Sequence, residues 1–407
     1  MEDTLTYLDN AATTQPLPEV VARMNEVLAE SWGNPSSPHA VGRKAKAVLE
    51  ESRAVIADAL GVDADEVYFT SGSTESNNLA IRGACLAHRE HPGQIITSSL
   101  EHSSVTRTVR GMRRDSKWPC AYVEAPDGVL DLGQLRELLQ AGPTALITMM
   151  RVQNEVGWIF PIPEVAALRD ELAPEALLHC DATQSFGKLL TCPREWGVQL
   201  LTAGAHKIGG PRGIGILYVQ RGVKMFTTAF GGNQERGLRS GTEPVFLAAG
   251  MAEAVRLAVR DREANAKHVA DLREQAIAGL RHEIGDVVIH ATAGGSPYIL
   301  SFSIPGVSIR TRRKTSTALL PCWRNAPERC ASRKNMEPRG DANCEQVCAV
   351  ASGGAACAAD AAEDLASGGG AAKDAEEVLA LRLCALTGEF YRANAESFSQ
   401  TRQSPWQ

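Results

Sequence analysis

Apolar positions recur at helical spacing early in the chain. Val20, Val21, Met24, Val27 and Leu28 mark one helix. Ala45, Val48, Leu49, Val55, Ile56, Ala59 and Leu60 mark a second, which Gly61 stops. Short apolar runs follow at residues 67–70, 94–97, 145–149, 177–180, 200–203 and 216–219, each bounded by Gly, Pro, Ser or Asp. Strands alternating with helices from residue 16 to about 220 predict an α/β fold with a mainly parallel sheet covered on both faces. In such sheets ligands bind at the carboxyl ends of the strands, and the polar motifs of this chain directly follow its apolar runs. Residues 243–283 read as long helical material, with Phe246, Leu247, Met251, Ala254 and Val255 on one face. Residues 287–289 and 298–304 read as strands of a smaller domain.

The 407 residues suffice for a large domain and a smaller one. A net charge of −6 gives no global attraction to nucleic acid or anionic membranes. No run of about 18 apolar residues occurs, so no membrane span is expected. The opening Met1-Glu2-Asp3-Thr4 is acidic and lacks an apolar signal region, which predicts a cytoplasmic protein. Six of the ten cysteines crowd toward the end, as Cys322, Cys330, Cys344, Cys348, Cys357 and Cys384. Cys344 and Cys348 are spaced loosely like metal ligands, but no second ligand pair matches them, so no metal is expected.

Lys207 is the most informative residue. It lies in Gly204-Ala205-His206-Lys207-Ile208-Gly209-Gly210, after an apolar run. Asp181, in His179-Cys180-Asp181-Ala182-Thr183-Gln184, ends the run before it. An Asp and a Lys after neighbouring strands form the pair that pyridoxal phosphate chemistry needs. The lysine holds the cofactor aldehyde as a Schiff base, and the aspartate keeps the pyridine nitrogen protonated. Thr70-Ser71-Gly72-Ser73-Thr74-Glu75-Ser76-Asn77-Asn78 follows a strand and opens a helix, a place where backbone N–H groups and hydroxyls cradle phosphate or simply cap the helix. His102, in Glu101-His102-Ser103-Ser104, reads either as a ring-stacking proton shuttle or as a structural histidine. Asn154, in Gln153-Asn154-Glu155-Val156-Gly157, reads either as a ligand for an oxygen or as a turn residue.

Together these motifs resemble the cysteine desulfurases, within the fold-type I pyridoxal phosphate enzymes of aminotransferase class V. The resemblance also takes in Tyr7-Leu8-Asp9-Asn10-Ala11-Ala12-Thr13-Thr14 and Gly33-Asn34-Pro35-Ser36-Ser37-Pro38-His39. It closes with Gly231-Gly232-Asn233-Gln234-Glu235-Arg236-Gly237-Leu238-Arg239-Ser240-Gly241-Thr242-Glu243, and runs from about residue 5 to Val307. It implies a large cofactor-binding domain over 15–260, and a small α+β domain from 1–14 and 261–407, of which 308–407 is atypical and partly without order.

The resemblance also implies roles. Lys207 binds the cofactor and moves the α-proton, Asp181 pairs with the pyridinium, Gln184 bonds the phenolic oxygen and His102 stacks on the ring. Ser73, Thr74 and His206 hold the phosphate, Thr242 reaches the phosphate of a neighbouring subunit in a homodimer, and Asn154 contacts the substrate carboxylate. The family usually has Ser where this chain has Gly204. One missing hydroxyl weakens cofactor binding by about 1 kcal/mol unless Thr202 replaces it.

A desulfurase also needs a thiolate to take sulfur from L-cysteine as a persulfide, leaving L-alanine. Cys330, in Arg329-Cys330-Ala331-Ser332-Arg333-Lys334, lies where the family carries this cysteine. The preceding Ala326-Pro327-Glu328 departs from the family loop, so an incidental cysteine is the other reading. Arg382 falls near the family's carboxylate-clamping arginine. Family likeness stops abruptly near Val307, and the stretch 349–372 holds 11 Ala and 5 Gly, too little to build a core. A shifted reading frame over parts of 308–407 would account for this change. The expected function is sulfur supply for iron–sulfur clusters or tRNA thiolation, with an acceptor or scaffold protein as partner. The alternatives are a selenocysteine lyase, another class V enzyme, and a cofactor-binding protein inactivated by its tail.

Overall fold

The structure is a computed structural model that describes residues 7–90, 93–290 and 294–305. Helix α1 (Pro18–Glu30) begins on a proline, whose fixed φ and missing N–H suit a first helical turn. Helix α2 (Ala40–Leu60) is capped by His39, whose ring accepts from the Gly42 amide, and ends at Gly61 with φ 66°. There follow β1 (Val67–Thr70), α3 (Ser73–Ala87), β2 (Gln94–Ser98), α4 (Ser103–Ser116), β3 (Cys120–Val123), α5 (Leu132–Gln140), β4 (Thr144–Met150), α6 (Ile162–Leu172), β5 (Leu177–Asp181), β6 (Leu200–Gly204) and β7 (Gly215–Val219). Helices α7 (Val245–Arg260) and α8 (Arg262–Ile284) divide the long helical stretch, and β8 (Val288–Ile289) pairs antiparallel with β9 (Phe302–Ser303).

Strands β1 to β7 form one sheet in the order β1-β7-β6-β5-β4-β2-β3. Strand β2 runs parallel to β3 and β4, and β5 runs parallel to β4 and β6. Only β7 is reversed, against β1 and β6. The sheet is thus mainly parallel, as the apolar runs predict. Every residue of β4, β6 and β7 is buried, which requires cover on both faces.

The strand pleat sorts those residues between two cores. Ile96, Ile147, Leu201 and Ile216 enter one with Leu49 and Ile56 of α2, Leu135 of α5, Val165 of α6 and Met251 of α7. Their neighbours Ile95, Leu146, Leu200 and Leu217 enter the other with Ile81 of α3 and Val109 of α4. Strand β3, Cys120-Ala121-Tyr122-Val123, is a further short apolar run beyond those expected, with its first three residues only half-buried at the edge of the sheet.

Two compact units emerge. One comprises residues 12–266 with 294–296, and the other residues 7–11, 267–290 and 297–305. The second has its own small apolar cluster of Ile277, Leu280 and Leu300. Among the described residues no helix is long and apolar enough to cross a membrane. None of their His, Cys, Asp and Glu side chains cluster to hold a metal.

Candidate active site

The carboxyl ends of β5 and β6 lie side by side, Asp181 pairing with Thr202. Strand β6 runs into a short 3-10 turn, Ala205–Lys207, that presents Lys207. The segment 12–14 fixes this turn. Thr14 donates to the His206 carbonyl through its amide and its hydroxyl, both at 2.8 Å. The same hydroxyl accepts from the Gly209 amide at 2.7 Å. Lys207 Nζ donates to the Ala12 carbonyl at 2.7 Å. His206 Nδ1 lies 3.2 Å from Thr13 Oγ1. Burial, with the positive Lys207 and Lys188 acting in the same direction, lowers the His206 imidazole to about 4, so the ring is neutral.

Asp181 is buried and accepts at both oxygens. Thr183 donates to Oδ1 through its amide at 3.0 Å and its hydroxyl at 2.5 Å. Asn77 Nδ2 donates to Oδ2 at 2.7 Å. Gln184 is buried three residues on and accepts from Lys188 Nζ at 3.4 Å. His102 caps α4, its Nδ1 2.7 Å from Ser104 Oγ. Burial lowers its pKa, Asp181 opposes this, and Lys207 adds to it. The charges of Asp181 and Lys207 therefore both reach the His102 ring.

Ser73 opens α3, and its Oγ is buried without a hydrogen-bond partner. An added Cβ at Gly204 would lie 2.5 Å from that oxygen, so the missing side chain leaves the room that the Ser73 hydroxyl fills. An orphaned hydroxyl at the positive end of a 15-residue helix fits a phosphate. Thr74 is exposed in the same first turn. Thr202 is no substitute for the lost hydroxyl, because its Oγ1 is buried 3.0 Å from His179 Nε2. Asp181, Gln184, Lys207 and Ser73 thus fit pyridoxal phosphate, with a carboxylate for the ring nitrogen, an amide for the phenolic oxygen, an amine for the aldehyde and a hydroxyl for the phosphate.

Asn154 sits half-buried in the turn after β4, hydrogen-bonded to Glu155, while the Gln153 side chain accepts from the amides of Glu155 and Val156 at 2.6 and 2.7 Å. Thr242 is exposed at the end of the loop 231–242. Cys330 and Arg382 lie outside the described residues, as do Cys344 and Cys348.

Motif reading passed over three buried groups. Lys188, lowered by burial and then by Lys207 to about 7, stands four residues after Gln184, and that spacing was its one signal. Glu101 accepts from Ser98 Oγ at 2.6 Å and the Met150 amide at 2.9 Å, and burial pushes its carboxyl up to about 8. Asn77 is fully buried, and nothing in the 70–78 motif singles it out.

Residues 6–315 match the model of the class-V aminotransferase family. A NifS/IcsS protein homolog of Lactobacillus delbrueckii subsp. bulgaricus is 38% identical over 308 residues, covering 74% of this chain and 78% of that protein. The cysteine desulfurase IscS of Dictyoglomus turgidum is 35% identical over 330 residues, covering 77% and 83%. Among solved structures, a NifS-like protein superposes with a TM-score of 0.72 at 34% identity, over 74% of this chain and 82% of that one. DndA from Streptomyces lividans gives 0.65 at 32% identity, over 75% and 86%. With its mainly parallel sheet, its Asp181–Lys207 pair and this similarity across three-quarters of its length, the chain belongs to the cysteine desulfurases of the class-V aminotransferase family, enzymes that depend on pyridoxal phosphate.

Proposed function

We propose that this chain converts L-cysteine to L-alanine in the pocket of Asp181, Gln184, His206 and Lys207, and carries the sulfur as a persulfide on one of its own cysteines. The observation that carries the reading is the placement of Asp181 and Lys207 at the ends of adjacent parallel strands. Bound pyridoxal phosphate supplies an electron sink for the substrate's α-carbon. Lys207 is the amine that holds the aldehyde and moves the α-proton. Asp181, fixed by three donors, would pair with the ring nitrogen, and Gln184 would bond the phenolic oxygen. Ser73, Thr74 and His206 would hold the phosphate. His102 would stack on the ring, and Asn154 and Arg382 would receive the substrate carboxylate.

A thiolate then attacks the substrate sulfur: the sulfur–sulfur bond forms as the carbon–sulfur bond breaks, and the electron pair left on the β-carbon takes up a proton to give L-alanine. None of the four described cysteines suits that task. Burial pushes Cys85 up to about 12 and Cys120 to about 11, and raises Cys180 and Cys192 as well. Such thiols stay protonated near neutral pH and attack poorly. This supports an acceptor in the last part of the chain, where Cys330 is the candidate. The exposed Thr242 supports a homodimer in which each subunit completes its neighbour's phosphate site. The persulfide would pass to an acceptor or scaffold protein for iron–sulfur clusters or tRNA thiolation. A cytoplasmic setting suits this chemistry, because it keeps the acceptor thiol reduced.

The test is alanine formation from L-cysteine with pyridoxal phosphate and a reductant, with Cys330→Ala alongside. The parent should form alanine and the variant should not. A parent that shows the visible band of bound cofactor and forms no alanine would be a cofactor-binding protein without turnover.

A further inference from the structure

A chain of hydrogen bonds links the candidate ring-stacking histidine to the candidate pyridinium partner. Asn77, in α3 and fully buried, donates from Nδ2 to Asp181 Oδ2 at 2.7 Å and to Ser104 Oγ at 2.8 Å. Ser104 Oγ lies 2.7 Å from His102 Nδ1, and the Ser104 amide donates to the same nitrogen at 3.2 Å.

The direction of every bond in this chain is forced. The Asp181 carboxylate only accepts, so the nitrogen end of the Asn77 amide faces it. That nitrogen also donates to Ser104 Oγ, and the Ser104 amide can only donate to His102 Nδ1, so the Ser104 hydroxyl proton is the one that goes to His102. His102 Nδ1 takes both this proton and the Ser104 amide, so it carries none of its own. A proton on Nδ1 could still donate to the Ser104 hydroxyl, but it would point at the Ser104 N–H and lose that bond. The neutral imidazole therefore keeps its proton on Nε2, which makes no hydrogen bond among the described residues. The polar link is shut away from water, with Asn77, Asp181 and Ser104 all buried. Asn77 Oδ1 has no partner, so the amide is held by its nitrogen end alone.

We propose that Asn77 and Ser104 are positioning residues that hold His102 in its Nε2–H form and lock it to the carboxylate of Asp181. His102 then meets the bound cofactor as a proton donor at a defined atom, in register with the group that faces the ring nitrogen. This rests on the pocket being the cofactor site. The tautomer itself is a property of the protein alone and is measurable without turnover.

The test is ¹⁵N NMR of the imidazole nitrogens in full-length protein, with and without pyridoxal phosphate, His102 being assigned by loss of its signals in His102→Gln. In the parent, Nδ1 should be unprotonated and Nε2 protonated. In Ser104→Ala and in Asn77→Ala, the tautomer ratio should move toward Nδ1–H on the order of fivefold, the equivalent of one hydrogen bond. Ser104→Thr, which keeps the hydroxyl, should retain the parent ratio. A parent protonated at Nδ1, or a ratio unmoved in both alanine variants, overturns the proposal. Parent protein with the predicted tautomer but no alanine formation would sink the desulfurase assignment and leave the relay standing.

Discussion

The guanidinium of Arg53 and the carboxylate of Glu235, 182 residues apart in the chain, meet in two hydrogen bonds of 2.7 and 2.9 Å with both side chains almost wholly removed from water. Their pairing holds a turn that the backbone resists. Glu235 and Arg236 both take positive φ, at 45° and 55°, which costs on the order of 1–2 kcal/mol for each residue. Three further contacts with β1 oppose that cost. Glu235 accepts from the Phe69 amide at 2.8 Å, Arg236 donates to the Val67 carbonyl at 2.7 Å, and the Arg236 guanidinium sits 4.1 Å from the centre of the Tyr68 ring. The same loop ends at Thr242.

Removing Arg53 leaves the Glu235 carboxylate buried and uncompensated, and removing Glu235 leaves the buried Arg53 only its 3.1 Å pair with the half-exposed Glu50. Arg53→Ala or Glu235→Ala should each lower stability by about 3–5 kcal/mol in urea unfolding. The double variant should lose clearly less than the sum, because the second removal no longer strands a charge. Additive losses would mean that the two side chains act independently.

The sheet and the chemical anchors were legible in the sequence for different reasons. Strands β4, β5 and β6 are short apolar runs because both their faces are covered, and Asp181 and Lys207 follow two of those runs directly. The Arg53–Glu235 clamp and the Asn77–Ser104 relay were not legible. Each joins side chains from elements far apart in sequence, and nothing local to Arg53 or Asn77 distinguishes it from a surface arginine or a helix-start asparagine. The role of Gly204 was half legible. Its departure from the family serine could be seen, while the reason the site tolerates it lies in Ser73, across the sheet in α3.

That relationship is testable. A Cβ at position 204 would crowd Ser73 Oγ, so Gly204→Ala should displace the hydroxyl proposed to hold the phosphate. Pyridoxal phosphate binding should weaken roughly five- to tenfold, as for one lost hydrogen bond. Ser73→Ala should cost about the same, and Ser73→Ala/Gly204→Ala should be no worse than Ser73→Ala alone. Equilibrium titration of the cofactor's visible band reads all three. Losses that multiply in the double variant would show that Gly204 and Ser73 are uncoupled.

Glu101 predicts a pH dependence of stability. Burial raises its carboxyl from 4.5 to about 8. Between those values the folded protein keeps a proton that the unfolded chain has released. Its contribution is therefore full below 4.5 and is lost as pH rises through about 8. Glu101→Gln keeps a carbonyl to accept from Ser98 and Met150 and cannot ionise. The variant should match the parent near about pH 5 and exceed it near about pH 9 by a few kcal/mol. Urea midpoints at the two pH values check this, and a gap that does not change with pH would contradict it.

Lys188 predicts the opposite slope. Burial, with Lys207 adding to it, lowers its amine from 10.5 to about 7. Across that window the folded protein has given up a proton that the unfolded chain still holds, so this contribution to stability grows as pH rises from 7 toward 10.5. Below 7 the amine must be buried charged, at its full cost. Lys188→Met fills similar volume without a charge. It should be more stable than the parent near about pH 6, with the gap closing near about pH 10. The same variant loses the 3.4 Å bond to Gln184. With one hold on that amide removed, pyridoxal phosphate should bind on the order of fivefold more weakly. Thermal unfolding at both pH values and cofactor titration read the two effects separately. A variant that gains stability at low pH and binds cofactor as tightly as the parent would show that Lys188 does not orient Gln184.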